Sequence, residues 1–430
     1  MKNLPIRHYL TVGISLGLVV FGGSKLLNFA LKLAVSRLGV TNFGDYYIAT
    51  STFVSIATLT TLGIPMSTTR FVSYFRGLGQ KDRSKEIISS AITISGIASI
   101  LAGCMLFGTA EWLAALLGIT HAALYFKILS FGLIGASLSL LVRAILLGYL
   151  HVQTSYALEG VETVSKFLFV LMGIWVFRLG VLGAVVGYTL GIAVSSAINY
   201  IALTKKIHVS PFTSRISQNL ITFAWPVSAS EIITAISATT LIFILRIAGG
   251  GEEVGYYAAA VSVAGLIHVI PQMILPIFLP VISQRYGEQK SIRAVYKTVM
   301  TWLGFTVGLL TLGIIGLNPI IMRVLFDSSY SRMTTVLPVL AAAYGFYAIF
   351  VWPHRQLLDM AGYTKHNLAL TILRSAVSIA SLLLVFQRAS GTGVAAAILL
   401  GWIAEGIGCM YLIMKKRLIL PMQASVRLFR

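Results

Sequence analysis

Acidic residues are scarce in this chain. Thirteen aspartates and glutamates stand against 33 lysines and arginines, and all four types together make up only 11% of 430 residues. So little charge excludes a soluble domain of this length. Hydrophobic residues reach 57%, mean hydropathy is +0.88, and apolar runs of about 20 residues recur from end to end. That pattern is the signature of a polytopic helical membrane protein. Cysteine is nearly absent, and Cys104 and Cys409 both lie in apolar stretches, so no disulfide framework is expected. No G-x-x-x-x-G-K-[ST] loop is present to cradle ATP, and no H-E-x-x-H or Cys/His cluster offers a metal site. No cofactor is expected. No small-residue cleavage site follows Arg7, so no cleavable signal is expected either. The longest outer loop, GLNPIIMRVLFDSSYSR, is too short to position the acids and bases of a membrane-embedded glycosyl-transferring enzyme. The expectation is a non-enzyme.

What is present is twelve hydrophobic spans, at 9–36, 43–75, 87–109, 121–148, 153–176, 181–203, 217–247, 253–284, 294–316, 333–358, 367–387 and 391–414. They account for much of the net charge of +20. With the N-terminus cytoplasmic, the inner segments hold 20 lysines and arginines, Arg355 and Lys365 among them, and the outer segments hold six. This is a positive-inside bias with both termini cytoplasmic. The expected organisation is a six-helix lobe at 1–206, a cytoplasmic loop at 207–216, a second six-helix lobe at 217–416 and a basic cytoplasmic tail at 417–430.

An internal repeat supports two halves. Gly183, Gly187, Gly191 and Ser195 stand four apart in the sixth span, and Gly393, Ala397, Gly401 and Glu405 do so in the twelfth, 210 positions later. Arg178 and Arg388 precede the two runs. Gly44-x-Tyr46-x-x-Ala49 returns as Gly255-x-Tyr257-x-x-Ala260 at an offset of 211. Six spans per half give the halves one orientation, hence a pseudo-two-fold along the membrane normal. The small-residue ridges are close-packing surfaces. Pro226, Pro271, Pro276 and Pro280 each remove a backbone hydrogen bond and mark kinks, static or hinged.

Seven cations lie inside the spans. In KLLNFALK, Lys25, Asn28 and Lys32 stand at i, i+3, i+7 and share one helical face. Counting along the spans at 1.5 Å per residue puts Lys25, Lys166 and Arg374 near the midplane. Such charges require a watery cavity or a partner. Lys32, Lys127, Arg70 and Arg143 lie nearer the surfaces and have snorkelling open to them. Glu162 precedes Lys166 by four residues, with Glu159 one turn back, so Lys166 reads as an ion pair or as a substrate contact. Glu231, close after Pro226, and Glu405 are candidates for binding a coupling H+ or Na+, or for neutralising a cation. Within the membrane cations outnumber acids, a balance that attracts an anion. A pyrophosphate suits two or three fixed cations, arginine as a fork and lysine as a point charge.

SRLGVTNFGDYYIATSTFVSIATLTTLGIPMSTTRFVSYFRGLGQ resembles the first two helices of the polysaccharide or oligosaccharide flippase family, within the multidrug/oligosaccharidyl-lipid/polysaccharide exporter superfamily. The shared features are Leu38, Gly39, Gly44 and Tyr46, then Leu62, Gly63, Pro65 and Arg70. RAILLGYLHVQTSYAL from Arg143 and GEEVGYYAAA are similar to later junctions of the family. The resemblance implies two six-helix lobes around a central cavity working by alternating access. Its implied cargo is an undecaprenyl-pyrophosphate-linked oligosaccharide, moved from the cytoplasmic to the outer leaflet of a prokaryotic inner membrane. Where many relatives carry an acid in the seventh helix, ATTLIFILR has none, which leaves Glu231 there alone.

The substrate-binding candidates are therefore Lys25, Asn28, Lys32, Arg143, Lys166 and Arg374. The expected partners are the lipid-linked oligosaccharide, the bilayer and a coupling ion, with no nucleotide and no nucleic acid. The alternatives are a cation-coupled multidrug exporter and a membrane-embedded glycosyl-transferring enzyme.

Overall fold

A computed structural model describes residues 6–119, 121–207, 218–273, 275, 291–361, 363–384, 390–416 and 418; they contain no β-strand. The fold is all-α. Helices α1 (Ile6–Ser36), α2 (Val40–Thr61), α3 (Ile64–Gly77), α4 (Lys81–Leu117), α5 (Ala122–Gly148), α6 (Val152–Leu171) and α7 (Gly180–Lys206) come first. They are followed by α8 (Gln218–Ala264), α9 (Arg293–Gly316), α10 (Asn318–Leu325), α11 (Met333–Phe346), α12 (Trp352–Met360), α13 (Thr364–Leu383) and α14 (Gly391–Lys415).

Ten runs among the described residues are long and apolar enough to cross a membrane. Two features reconcile them with twelve spans. Helix α6 carries Glu159, Glu162 and Lys166 in 20 residues, too many charges for a purely apolar window. The run Ser228–Met273, 46 residues, is about twice what a bilayer needs. It breaks at Gly250, whose φ of 82° and ψ of −177° are open only to glycine. The loop expected between 247 and 253 is thus reduced to a single kinked residue.

Other boundaries also differ from the hydropathy reading. The span expected at 87–109 is the middle of a longer helix, Lys81–Leu117. Gly118 ends it in the left-handed region, donating its N–H to the carbonyls of Ala114 and Ala115. The second span is interrupted at Leu62 and Gly63, both with positive φ, before Pro65 opens α3. Proline explains two further irregularities. Pro271 cannot donate to the carbonyl of Ile267, and the turn before it, Gly265–His268, tightens to 3-10. Pro353 deprives Ile349 in the same way, and Tyr347–Val351 widens to a π turn. Pro276, Pro280 and Arg388 lie outside the described residues, and so does the side chain of Pro226.

The chain divides into two compact units, Met1–Leu38 with Asp45–Ala235, and Gly39–Gly44 with Ile236–Arg430. In the first, Val72, Ile88, Leu141, Val142 and Ile145 form a core shared by α3, α4 and α5. Helices α6 and α7 pack through the predicted glycine ridge. A methyl on Gly183 would strike the backbone of Gly173, one on Gly187 the backbone of Phe169, and one on Gly191 the Cα of Lys166 at 2.5 Å. The second unit contains a contact between the two copies of the repeated motif. A methyl on Gly44 would lie 2.5 Å from the carbonyl oxygen of Gly251, and one on Gly255 would strike the carbonyl oxygen of Val40. Val40 and Gly251 are related by the same 211-residue offset as Gly44 and Gly255, so the contact is reciprocal.

Candidate functional site

In the first unit the polar face of α1 lies against α6. Lys25 Nζ is 3.7 Å from Glu159 Oε1 and 4.5 Å from the centre of the Phe21 ring. Asn28 Nδ2 donates to the Ser24 carbonyl at 3.1 Å and reaches Thr163 Oγ1 at 3.5 Å. Gly160 sits on the same surface, and a methyl there would press on Val20 at 3.1 Å. The i, i+3, i+7 stripe is therefore a seam between the first and fifth spans, with Glu159 and Thr163 as its partners. One turn further along α6, Glu162 accepts from Lys166 Nζ at 2.9 Å and, through its other oxygen, from Arg143 on α5. The Lys166 ammonium also lies 5.3 Å from the centre of the Tyr188 ring. Lys32 enters no ion pair among the described residues, and the charge that acts on it is that of Lys25. Three cations thus share two carboxylates here, and Lys32 lies near Lys25.

The second unit has a smaller cluster built on the same plan. Glu405 of α14 is fully buried. It accepts from Arg355 Nη1 of α12 at 3.0 Å on one oxygen and from Arg374 Nη1 of α13 at 3.4 Å on the other. Asn367 steadies Arg355 by donating to its carbonyl at 3.0 Å and to Asp359 Oδ1 at 2.6 Å. Gly401 lets α14 approach: a methyl there would lie 2.8 Å from the Arg374 carbonyl oxygen. Each unit therefore has one carboxylate held by a cation from its fourth span and a cation from its fifth. The carboxylate itself comes from different helices, the fifth span in the first unit and the sixth in the second.

These groups are buried together because each alone would be costly. A charged side chain at mid-membrane depth costs about 2.5–3.5 kcal/mol on insertion scales, and an ion pair with satisfied hydrogen bonds offsets that. The structure sets Lys25 and Asn28 against Glu159 and Thr163, and Arg143 and Lys166 against Glu162, all along α6, with Lys32 further along α1. Arg374 and Glu405 form a separate set in the second unit. Glu231 is exposed on α8. Arg355, counted with the inner segments by the positive-inside reading, lies in the run Met333–Asp359 and holds Glu405. The signal that finds it is the repeat, since Arg355 follows Arg143 by 212 positions. No group of three or more histidine, cysteine or acidic side chains suited to a metal occurs among the described residues.

A family model described as polysaccharide biosynthesis protein matches residues 10–286. The stage V sporulation protein B of Bacillus subtilis is 28% identical over 79 residues, a match spanning 18% of this chain and 15% of that protein. Two solved structures share the fold. An inward-facing multidrug resistance MATE family transporter of the MOP superfamily aligns with a TM-score of 0.77 at 17% identity, over 92% of this chain and 95% of its own. A MOP superfamily transporter from Pyrococcus furiosus, whose binding pocket is described as reversed in polarity, aligns with a TM-score of 0.66 at 18% identity over 95% of each chain.

Proposed function

This chain belongs to the polysaccharide biosynthesis protein family, and from that premise we propose that it flips an anionic lipid-linked oligosaccharide from the cytoplasmic to the outer leaflet. It is a multi-pass membrane transporter. The observation that supports the cargo is the charge balance along α1 and α6, where among the described residues Lys25, Arg143 and Lys166 pair with Glu159 and Glu162 and Lys32 enters no ion pair. A polyprenyl pyrophosphate headgroup supplies the missing negative charge. Lys32 and the partly exposed Lys25 meet it first, with Asn28 between them on the same helix face. Arg143 and Lys166, fixed by Glu162, hold the field without leaving their positions. In the second unit Arg374 and Arg355 share Glu405. The prenyl chain stays in lipid, the lobes alternate in access, and the membrane is the prokaryotic inner membrane with both termini cytoplasmic.

Glu231, exposed on α8, and Glu405, held by two guanidinium groups, are the candidates for binding H+ or Na+. The second reading is a multidrug exporter, favoured by the fold shared with the MATE transporters. Proteoliposomes carrying a polyprenyl-pyrophosphate oligosaccharide in both leaflets separate the two. An impermeant glycosidase outside reads the inner pool as it emerges. Rapid emergence in the wild type that is lost in Lys32→Ala supports the flippase. An untouched inner pool together with transport of a cationic dye replaces it with the exporter.

A further inference from the structure

Beside the Arg355–Glu405–Arg374 cluster lies a group of aromatic side chains that the charge argument leaves unused. His268 stacks on Tyr344 with ring centres 4.4 Å apart and planes 21° apart. Tyr347 lies 5.1 Å away, Trp352 5.8 Å and Trp402 6.3 Å. Trp402 in turn lies 4.7 Å from Tyr347 and 5.3 Å from Tyr344. Five rings from three separate stretches of the second unit are thus gathered at one point. All five keep part of their surface uncovered. The position is unusual for such residues, because tyrosine and tryptophan in membrane proteins concentrate at the two interfaces. Here Tyr344, Tyr347 and Trp402 stand near the middle of their membrane runs.

Two features distinguish this cluster from ordinary aromatic packing. The Nε2 atom of His268 is buried and makes no hydrogen bond among the described residues, although a buried polar nitrogen normally has a partner. Tyr347 meanwhile feels the charges of Arg355, Glu405 and Arg374, so the ring cluster and the ionic cluster are continuous. Rings flanked by a few fixed polar groups are the composition of a small-molecule site. Aromatic cages also bind cations. Two guanidinium groups against one carboxylate beside Tyr347 oppose that occupant.

We propose that His268, Tyr344, Tyr347, Trp352 and Trp402 form a saccharide subsite, distinct from the phosphate-binding face of the first unit. A pyranose has an apolar face of C–H bonds, which stacks on Trp402 and Tyr347. Its equatorial hydroxyls hydrogen-bond to His268 Nε2 and to the guanidinium of Arg355. The inference rests on the reading that the cargo is a lipid-linked saccharide.

The test uses the full chain in nanodiscs and two probes: a polyprenyl pyrophosphate carrying a pentasaccharide, and the same lipid pyrophosphate without sugar. Wild type, Trp402→Leu and the ring-retaining Trp402→Phe are compared, with thermal unfolding as the check on folding. The expected result is that Trp402→Leu binds the sugar-bearing probe about tenfold more weakly, Trp402→Phe recovers most of that loss, and the sugar-free probe is bound equally by all three. Equal weakening of both probes, or no weakening of the first, overturns the subsite while leaving the flippase reading in place. If Trp402→Leu does not fold, the Phe variant and His268→Leu decide by the same two-probe comparison. A wild type that binds neither probe, yet binds tetraphenylphosphonium in a Trp402-dependent way, ends the flippase reading and this inference with it.

Discussion

Gly44 and Gly255 are the same residue of a repeated motif, and each faces the backbone of the other's copy. Gly44 meets the carbonyl of Gly251, and Gly255 meets the carbonyl of Val40. Backbone-to-backbone approach of this kind has no space for a β-carbon and no flexible side chain to give way. Gly44→Ala and Gly255→Ala are each expected to cost about 1–3 kcal/mol, the range of an overpacked core. The double variant is expected to cost less than the sum, because the first methyl already separates the two segments. Thermal unfolding followed by detergent size-exclusion checks both statements. Gly96→Ala, where nothing lies within 4 Å, is the control.

Glu405 neutralises two arginines, and its loss removes the carboxylate that Arg355 and Arg374 share. Glu405→Gln is expected to destabilise the protein by about 3–5 kcal/mol, the cost of breaking a buried ionic cluster by removing one partner. Adding Arg374→Gln is expected to restore part of that loss, since only one guanidinium then remains. A melting curve of Glu405→Gln that overlays the wild type would show that the cluster contributes nothing to the fold.

Lys25 and Glu162 are expected to behave oppositely. The Lys25 side chain is 31% exposed and its contact with Glu159 is 3.7 Å, so Lys25→Ala is expected to shift stability by less than about 1 kcal/mol. Its effect falls on binding of the pyrophosphate lipid. Glu162→Gln removes the shared partner of Arg143 and Lys166, whose side chains are 14% and 12% exposed. Its effect falls first on thermal stability. Measuring melting and lipid binding on both variants separates the two roles.

His151 lies between α5 and α6, outside the spans. Burial, and then the charges of Lys206 and Arg76, hold its imidazole below the ordinary range. The unfolded chain, titrating near about pH 6.5, therefore takes up the proton more readily than the folded one. The stability from neutral His151 is present above that pH and falls as pH drops towards the folded value. His151→Gln is expected to flatten the melting temperature between about pH 7.5 and 5.5 relative to wild type.

Much of the architecture was legible because it depends on composition and period. A helix in lipid satisfies its own backbone, so hydropathy alone locates it, and Glu162 with Lys166 could be paired because both lie on one helix face. Boundaries were less legible where a single glycine or proline replaced an expected loop, as at Gly250. Glu159 and Thr163 as partners of Lys25 and Asn28 were not legible, nor was Arg355 as a partner of Glu405. Those contacts join residues more than 40 positions apart, and nothing in local spacing links them.

By itself the sequence determined a helical membrane protein with an internal repeat and more cations than acids in its spans. Those properties follow from residue counts and from distances along one helix. Tertiary structure alone decided how the charges are neutralised, because that depends on how each helix is rotated against its neighbours. The same carboxylate role falls to Glu162 on the fifth span in one unit and to Glu405 on the last span in the other. Only helix packing places both within reach of a cation pair.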